Sequence, residues 1–146
     1  MCSNKEQESC IENSDEQSSH AYETLTRREL RSLVFHMLYA ADAYEYQESL
    51  LSLVELFNRG FELNIPHDSE VVMMAQAIID ERDALDEQLK PFLLNWRFER
   101  IGLCTKLILR LALWELNQRH TVPNIILNEA IELEQPLYTS FFWKGL

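Results

Sequence analysis

Residues 107–133 read LILRLALWELNQRHTVPNIILNEAIEL. The first half of this segment belongs to an apolar run over residues 103–117, in which polar side chains form only a narrow stripe at Lys106, Arg110 and Asn117. Leucines also alternate between positions 107 and 113, as in a strand, but the leucine and alanine content and the length of the run favour a helix. A helix that is apolar on nearly all sides is usually central. We therefore predict that residues 103–117 form a buried central helix.

A second helix is predicted to follow the polar break that contains Pro123. Proline suits the first turn of a helix, because that position needs no backbone N–H donor and the ring presets the helical φ angle. The amphipathic pattern continues from Pro123 to about Glu134. Pro136 is expected to end this helix, since proline interrupts the backbone hydrogen-bond ladder.

Upstream of the central run, three more segments show helical periodicity. The first begins at Thr26, which has the capping-box spacing to Glu29. The second covers about residues 47–63, with Phe61 among its inward-facing side chains, and the third runs from residue 68 or 69 towards Pro91. Only 3 glycines interrupt the chain. The sequence therefore predicts an all-α protein, a compact bundle of about five or more helices around the central one.

Residues 1–26 form a polar and acidic segment that contains almost nothing apolar. Such a segment cannot bury enough surface to offset the entropy of ordering it. We predict a disordered acidic tail over residues 1–26, followed by one helical domain over residues 27–146. A solvated tail without function is the simpler interpretation, and a tail that screens or competes for a basic patch is the alternative.

The charge and the cysteines restrict the function. The formal net charge is −11, whereas RNA-binding domains usually carry a basic footprint, so any anion-binding surface must be a local patch. The 3 cysteines show no pairing or metal-binding pattern, which fits a reducing compartment. There is no apolar leader and no run of about 18–20 apolar residues. We expect a cytoplasmic protein that does not enter a membrane.

No pattern of a catalytic, metal or cofactor site is present. The histidines are dispersed at His20, His36, His67 and His120. None has a cysteine or carboxylate at ligand spacing, and the few glycines leave no phosphate-binding loop. Four acidic residues cluster at Glu81, Asp83, Asp86 and Glu87. We interpret this cluster as a solvated helix face, and the chain as a non-enzyme without metal or cofactor.

The basic cluster consists of Arg27, Arg28 and Arg31, at the start of the first predicted helix. Residues four apart share a helical face, so Arg27 and Arg31 lie close together with Arg28 beside them. Three guanidinium groups in this arrangement can grip phosphates. From spacing alone, a solvated first turn that pairs with Glu23 or Glu29 is favoured over an RNA site.

The order and spacing of these motifs resemble the NusB family of bacterial transcription antitermination factors. Its members typically carry an L-R-x-A-x-x-E-L helix, then V-P, then I-N-E-A-I-E-L-A. The corresponding pieces of this chain begin at Leu109, Val122 and Leu127. Members also open with R-R-x-x-R-x-x-A-x-Q-x-L-Y. This chain matches that motif at Arg27, Arg28, Arg31, Leu38 and Tyr39.

The resemblance implies two RNA-contacting regions. In the family, the arginine-rich segment contacts the boxA element of RNA, and so does a late segment like E-D-S-x-K-F-V-N-G. Residues 139–145 stand at that late segment, with Phe142 at the phenylalanine position, where it can stack on a base, and Lys144 at the asparagine position. The acidic pair is not reproduced. The implied RNA-binding residues are Arg27, Arg28, Arg31, Tyr39, Phe142 and Lys144.

The resemblance also implies the partners. The domain over residues 27–146, in which the family's last helix is truncated, would bind boxA-type RNA together with the ribosomal protein NusE. It would join the RNA polymerase elongation complex indirectly. One alternative is a NusB-like N-terminal fragment of an rRNA cytosine methyltransferase. The other is a degenerate protein-interaction module that has lost RNA binding, which the acidity motivates.

Overall fold

A computed structural model of the chain describes residues 22–138, with side chains up to Gln135. The structure shows six α-helices in this range: α1 Arg27–Ala43, α2 Leu50–Phe61, α3 Glu70–Asp80, α4 Arg82–Leu89, α5 Leu103–Gln118 and α6 Pro123–Tyr138, which reaches the last described residue. Two single-turn 3-10 helices, Lys90–Phe92 and Phe98–Arg100, lie between α4 and α5. The described part of the chain contains no strand, which confirms the all-α prediction.

The capping box predicted at the start of α1 is confirmed. The backbone N–H of Thr26 donates to a carboxylate oxygen of Glu29 at 2.7 Å, and the backbone N–H of Glu29 donates to the Thr26 hydroxyl at 3.3 Å. Two donors that the helix itself cannot satisfy are thereby paired. The bond from the Thr26 backbone also lowers the pKa of Glu29. The first turn of α1, with its arginines, is thus held in helical form.

Helix α5 is the central helix that the sequence predicts. It packs against α1, α3, α4 and α6. Its buried side chains are Leu107, Ile108, Leu111, Ala112 and Glu115. They meet a set of nearly solvent-free apolar side chains from α1, α2 and α3: Val34, Met37, Leu38, Val54, Val71, Ala75 and Ile78. Tyr22 and Leu25, from the segment assigned to the tail, also pack against this core.

Two predictions about helix ends and one about a core residue are wrong. Helix α6 continues through Pro136 to Tyr138, the last described residue, and the proline removes only one backbone donor. The third predicted helix is split at Glu81, where the Arg82 side chain donates to the Ile79 carbonyl at 2.8 Å and satisfies the end of α3. Phe61 is 42% exposed, because it is the last residue of α2.

The split at Glu81 turns α4 so that Asp86 faces α5. The Arg110 guanidinium donates two hydrogen bonds to the Asp86 carboxylate, each of 2.7 Å, and both side chains are largely buried. The Tyr46 hydroxyl accepts a longer bond from Arg110 and donates to Asp42 at 3.1 Å. Asp86 therefore does not belong to a solvated acidic face. It joins α4 and α5, and Tyr46 extends the link to the end of α1.

His36 lies on α1 and is half-buried. Burial lowers the pKa of its imidazole from the ordinary value of 6.5, and the hydrogen bond between Nδ1 and the Ser32 carbonyl, at 2.6 Å, opposes the shift only in part. The ring therefore stays neutral in the folded protein at a pH where it is already protonated in the unfolded chain.

None of the described helices is long and apolar enough to cross a bilayer.

We predict that replacement of His36 by Gln makes stability less dependent on pH. Because the unfolded chain binds the extra proton, the wild-type free energy of unfolding should fall as pH drops through about 6.5, by up to about 1.4 kcal/mol per pH unit. Most carboxylates titrate nearer pH 4, and the other three histidines are common to both proteins, so the difference between the wild type and the variant in urea unfolding between pH 7.5 and 5.5 isolates the effect. A His36→Gln protein that loses stability as steeply as the wild type would contradict the prediction.

Candidate nucleic-acid interface

The structure separates the three predicted arginines into two kinds. The side chains of Arg27 and Arg28 are 72% and 62% exposed on the first turn of α1. The Arg31 side chain is only 14% exposed and points into the bundle. The cluster that spacing predicts therefore exists at the start of the helix, but only two of its members present their guanidinium groups to solvent.

Arg31 forms an ion pair with Glu115 on the central helix. Its Nε lies 2.8 and 3.1 Å from the two carboxylate oxygens, and its Nη2 lies 2.8 Å from one of them. The Glu115 side chain is 9% exposed, and the hydrogen bond that Arg31 donates to this carboxylate raises the pKa of Arg31. A bidentate, mostly buried contact of this kind fixes both side chains. The pair holds the start of α1 against the last turns of α5.

Arg28 contacts two carboxylates of α6. Its Nε and Nη2 lie 3.3 and 3.4 Å from the carboxylate of Glu129, and its Nη2 also pairs with Glu132. The hydrogen bond to Glu129 raises the pKa of Arg28. Both glutamates belong to the segment NEAIEL, so this sequence motif faces the arginines. Two carboxylates that lie three residues apart on α6 therefore contact one guanidinium group of α1.

Arg27 contacts the start of α3. Its Nη1 donates to the Glu70 carboxylate at 2.7 Å, and both side chains are well exposed. The predicted local partners, Glu23 and Glu29, are not those that the structure records. Glu29 bonds to Thr26, and the arginines pair instead with glutamates of α3, α5 and α6.

Two grooves flank the arginines. A groove of about 610 Å³ between α1, α3 and the end of α5 includes Arg27, Glu70, Met73 and Trp114 in its walls. A groove of about 670 Å³ between α1 and α6 includes Arg28 and both of its glutamate partners. Among residues 22–138, no group of three or more His, Cys, Asp or Glu side chains is arranged to hold a metal ion. The arginine-bearing turn is therefore a ridge between two open grooves.

Helix α1, which carries the arginines, and helix α6, which carries the NEAIEL segment, both fall, apart from Arg27, within the residues matched by a family model. The model of the NusB family matches residues 28–139, which is most of the chain. The chain belongs to the NusB family. The match begins at Arg28 and spans all six helices described above, apart from the first residue of α1.

Curated relatives carry the same family name. The transcription antitermination protein NusB of Oleidesulfovibrio alaskensis is 36% identical over 121 residues, covering 75% of each chain. That of Nitratiruptor sp. is 30% identical over 119 residues, covering 78% of this chain and 81% of the relative. That of Bacillus cereus is 30% identical over 110 residues, covering 75% and 82%. No solved structure matches this chain.

Of the other predicted RNA contacts of this NusB-family chain, Tyr39 lies away from the arginines. Tyr39 is 11 residues beyond Arg28 on α1, which places it on the same helix face but about 16 Å further along the axis. Its ring is half-exposed and tilted against Phe35, with centroids 6.4 Å apart. Phe142 and Lys144 lie outside the described residues. An RNA role for these three residues stays a prediction.

A group of exposed apolar side chains escaped the sequence analysis. Phe92 ends the first 3-10 turn, Leu94 and Trp96 follow it, and the three side chains are 79%, 88% and 70% exposed. The sequence signal was present: four large apolar residues fall within positions 92–96, in a segment without helical period. Exposed apolar residues close together on a protein surface often mark an interaction site. This connection is therefore the second candidate surface of the NusB-family domain.

We predict that Arg31→Ala destabilises the fold whereas Arg27→Ala does not. Loss of Arg31 leaves the Glu115 carboxylate buried without its partner, which should lower the free energy of unfolding by about 3 kcal/mol or more. Loss of the exposed Arg27 should change it by no more than about 0.5 kcal/mol. Urea unfolding of both variants at one pH measures the difference. Equal stability of the two variants would show that the Arg31–Glu115 pair does not support the fold.

Proposed function

We propose that this chain is a transcription antitermination protein that binds boxA-type RNA together with the ribosomal protein NusE, and that the complex joins RNA polymerase during elongation. The observation that carries this proposal is the family match over residues 28–139, together with relatives that are named transcription antitermination proteins. The function is binding rather than catalysis, and the bacterial cytoplasm is where it takes place.

The proposed RNA contact begins at the exposed turn of α1. Arg27 and Arg28 present exposed guanidinium groups, which can bind phosphate oxygens as they bind carboxylates, Arg27 through one hydrogen bond to Glu70 and Arg28 through two to Glu129. Arg31 supports the site by holding α1 on α5. Tyr39, Phe142 and Lys144 are the further contacts that the family resemblance implies. The grooves on either side of the turn leave room for a single strand to pass it.

The acidic charge supports a role for NusE in RNA binding. A net charge of −11 repels RNA at long range, so two exposed arginines supply attraction only within a few ångströms of the phosphates. RNA affinity of the chain alone should therefore be low. A protein partner that adds its own RNA contacts converts two weak interactions into one stronger interaction.

We place the NusE contact at the connection that carries Phe92, Leu94 and Trp96. These side chains are the most exposed large apolar groups of the described residues. Aromatic residues at the centre of a protein interface often account for much of its binding energy. The connection lies between α4 and α5, on a part of the chain that does not contribute to the grooves beside the arginines. NusE and RNA can therefore bind together.

One observation favours a second candidate function, a protein-interaction module that no longer binds RNA. Arg27 and Arg28 are both paired with carboxylates of the protein itself. If these pairs are never exchanged for phosphate, the chain binds NusE alone. Titration of RNA in the presence and absence of NusE separates the two functions, because the module would bind NusE while boxA and scrambled RNA bind equally weakly.

We predict that Arg27→Ala combined with Arg28→Ala weakens RNA binding and its salt dependence. Each lost phosphate contact should reduce the slope of log affinity against log salt by about 0.7 for a single strand. Affinity for a boxA-type RNA is measured with NusE across a salt series. Arg59→Glu changes the net charge by the same amount at an exposed position of α2, outside both candidate surfaces, and is the control. If the double variant and the control give the same slope, the arginine turn is not the RNA contact.

We predict that Trp96→Ala weakens NusE binding and leaves the fold intact. The side chain is 70% exposed, so its truncation should change the free energy of unfolding by less than about 0.5 kcal/mol. Loss of a central aromatic contact should weaken NusE binding by about 2 kcal/mol or more, measured by calorimetry. Leu56→Ala, at an exposed position of α2, is the control. Wild-type affinity of the Trp96 variant would place the NusE contact elsewhere.

A further inference from the structure

We propose that Glu70 and Glu132, with Glu129 behind them, act as internal competitors of RNA phosphate for Arg27 and Arg28, and so set the RNA affinity of the site. This inference rests on the proposed function and concerns the same arginines. It assigns a role to three carboxylates that lie on α3 and α6, in front of the turn that carries the arginines.

The contacts show that carboxylates occupy both exposed guanidinium groups. Glu70 accepts a hydrogen bond from Arg27 at 2.7 Å, and Glu129 and Glu132 both contact Arg28. A carboxylate and a phosphate present oxygen acceptors to the same edge of a guanidinium group. A phosphate that approaches Nη1 of Arg27, or the Nε and Nη2 edge of Arg28, must therefore displace a carboxylate. RNA binding at this turn is an exchange of partners.

The exposed fraction of each side chain determines which arginine–carboxylate pairs can be exchanged for phosphate. Arg27, Glu70, Arg28 and Glu132 all retain about half or more of their side-chain exposure, whereas Glu129 retains 20%. Exposed ion pairs contribute little to stability and are readily broken. The Arg31–Glu115 pair is mostly buried and stays in place. Glu70 and Glu132 are therefore the carboxylates that swing away, and Glu129 remains beside Arg28.

The local charge makes the exchange unfavourable. Two exposed arginines face three carboxylates, so an approaching phosphate meets a surface with one excess negative charge. After exchange, Glu129 and Glu132 lie three residues apart on one helix with less positive charge between them, and like charges at this spacing repel. The carboxylates thus lower the affinity for any RNA. Because they compete with phosphate and not with bases, they lower it by the same factor for every sequence.

The test compares the RNA affinities of two double variants of the full chain. The first variant carries Glu70→Gln and Glu132→Gln, and the second is a control. The control is Glu48→Gln plus Glu81→Gln, which makes the same charge change at exposed positions. Glu48 follows the far end of α1, and Glu81 follows the far end of α3. BoxA-type and scrambled RNA are titrated at one salt concentration. The first variant should bind both RNAs about 2- to 30-fold more tightly than the control variant does, with the same factor for each.

A second set of variants tests whether the gain in RNA affinity depends on Arg27 and Arg28. Arg27→Ala and Arg28→Ala are introduced into both glutamine variants, and the difference between the two variants should then disappear. An affinity of the Glu70/Glu132 variant equal to that of the control, or a gain that survives without the arginines, overturns the inference. If the wild type binds boxA-type RNA specifically while the variants give either of these results, this inference fails and the proposed function stands. If no version of the chain prefers boxA-type RNA, with or without NusE, the proposed function falls.

Discussion

The ion pair between Arg31 and Glu115 is the contact on which the candidate interface depends. Helix α5 is apolar on most sides, so a carboxylate within it needs a cationic partner. Arg31 supplies this partner from α1 and fixes the rotation of that helix. With Arg31 turned inward, Arg27 and Arg28 are left on the outer part of the same turn, where they meet α3 and α6. One buried contact therefore decides which arginines are exposed.

Helix α5 uses the same kind of bond again on another side. Arg110 binds Asp86 of α4 through two hydrogen bonds, and here the central helix contributes the cation instead of the anion. Residues 110 and 115 are five apart, so they project about 140° from each other around the helix axis. The two pairs orient α5 against α1 and α4, while the surrounding leucines and isoleucines supply most of the buried apolar area. Apolar packing alone allows one helix to slide along another, whereas a hydrogen-bonded ion pair between two helices allows much less movement.

The fold was predictable from the sequence where the signals are local. The capping box of Thr26 and Glu29, the apolar run of α5 and the start of α6 at Pro123 all depend on neighbours in the chain, and all three predictions are confirmed. The turn at Glu81 brings Asp86 to Arg110, 24 residues away, and this contact exists only in the folded chain. Spacing placed Arg27, Arg28 and Arg31 together, but could not tell which faces inward. Their partners lie 43, 101 and 84 residues away, where no local pattern reaches.

The two buried pairs of α5 also imply an order of assembly. Asp86 and Arg110 are separated by 24 residues, and Arg31 and Glu115 by 84. The entropy of closing a chain segment grows with the logarithm of its length, which makes the longer closure less favourable by about 1 kcal/mol. The contact between α4 and α5 can form as a local helical hairpin before α1 packs against α5. We therefore expect the turn that carries the exposed arginines to form late, when α1 packs against α4 and α5 that have already joined.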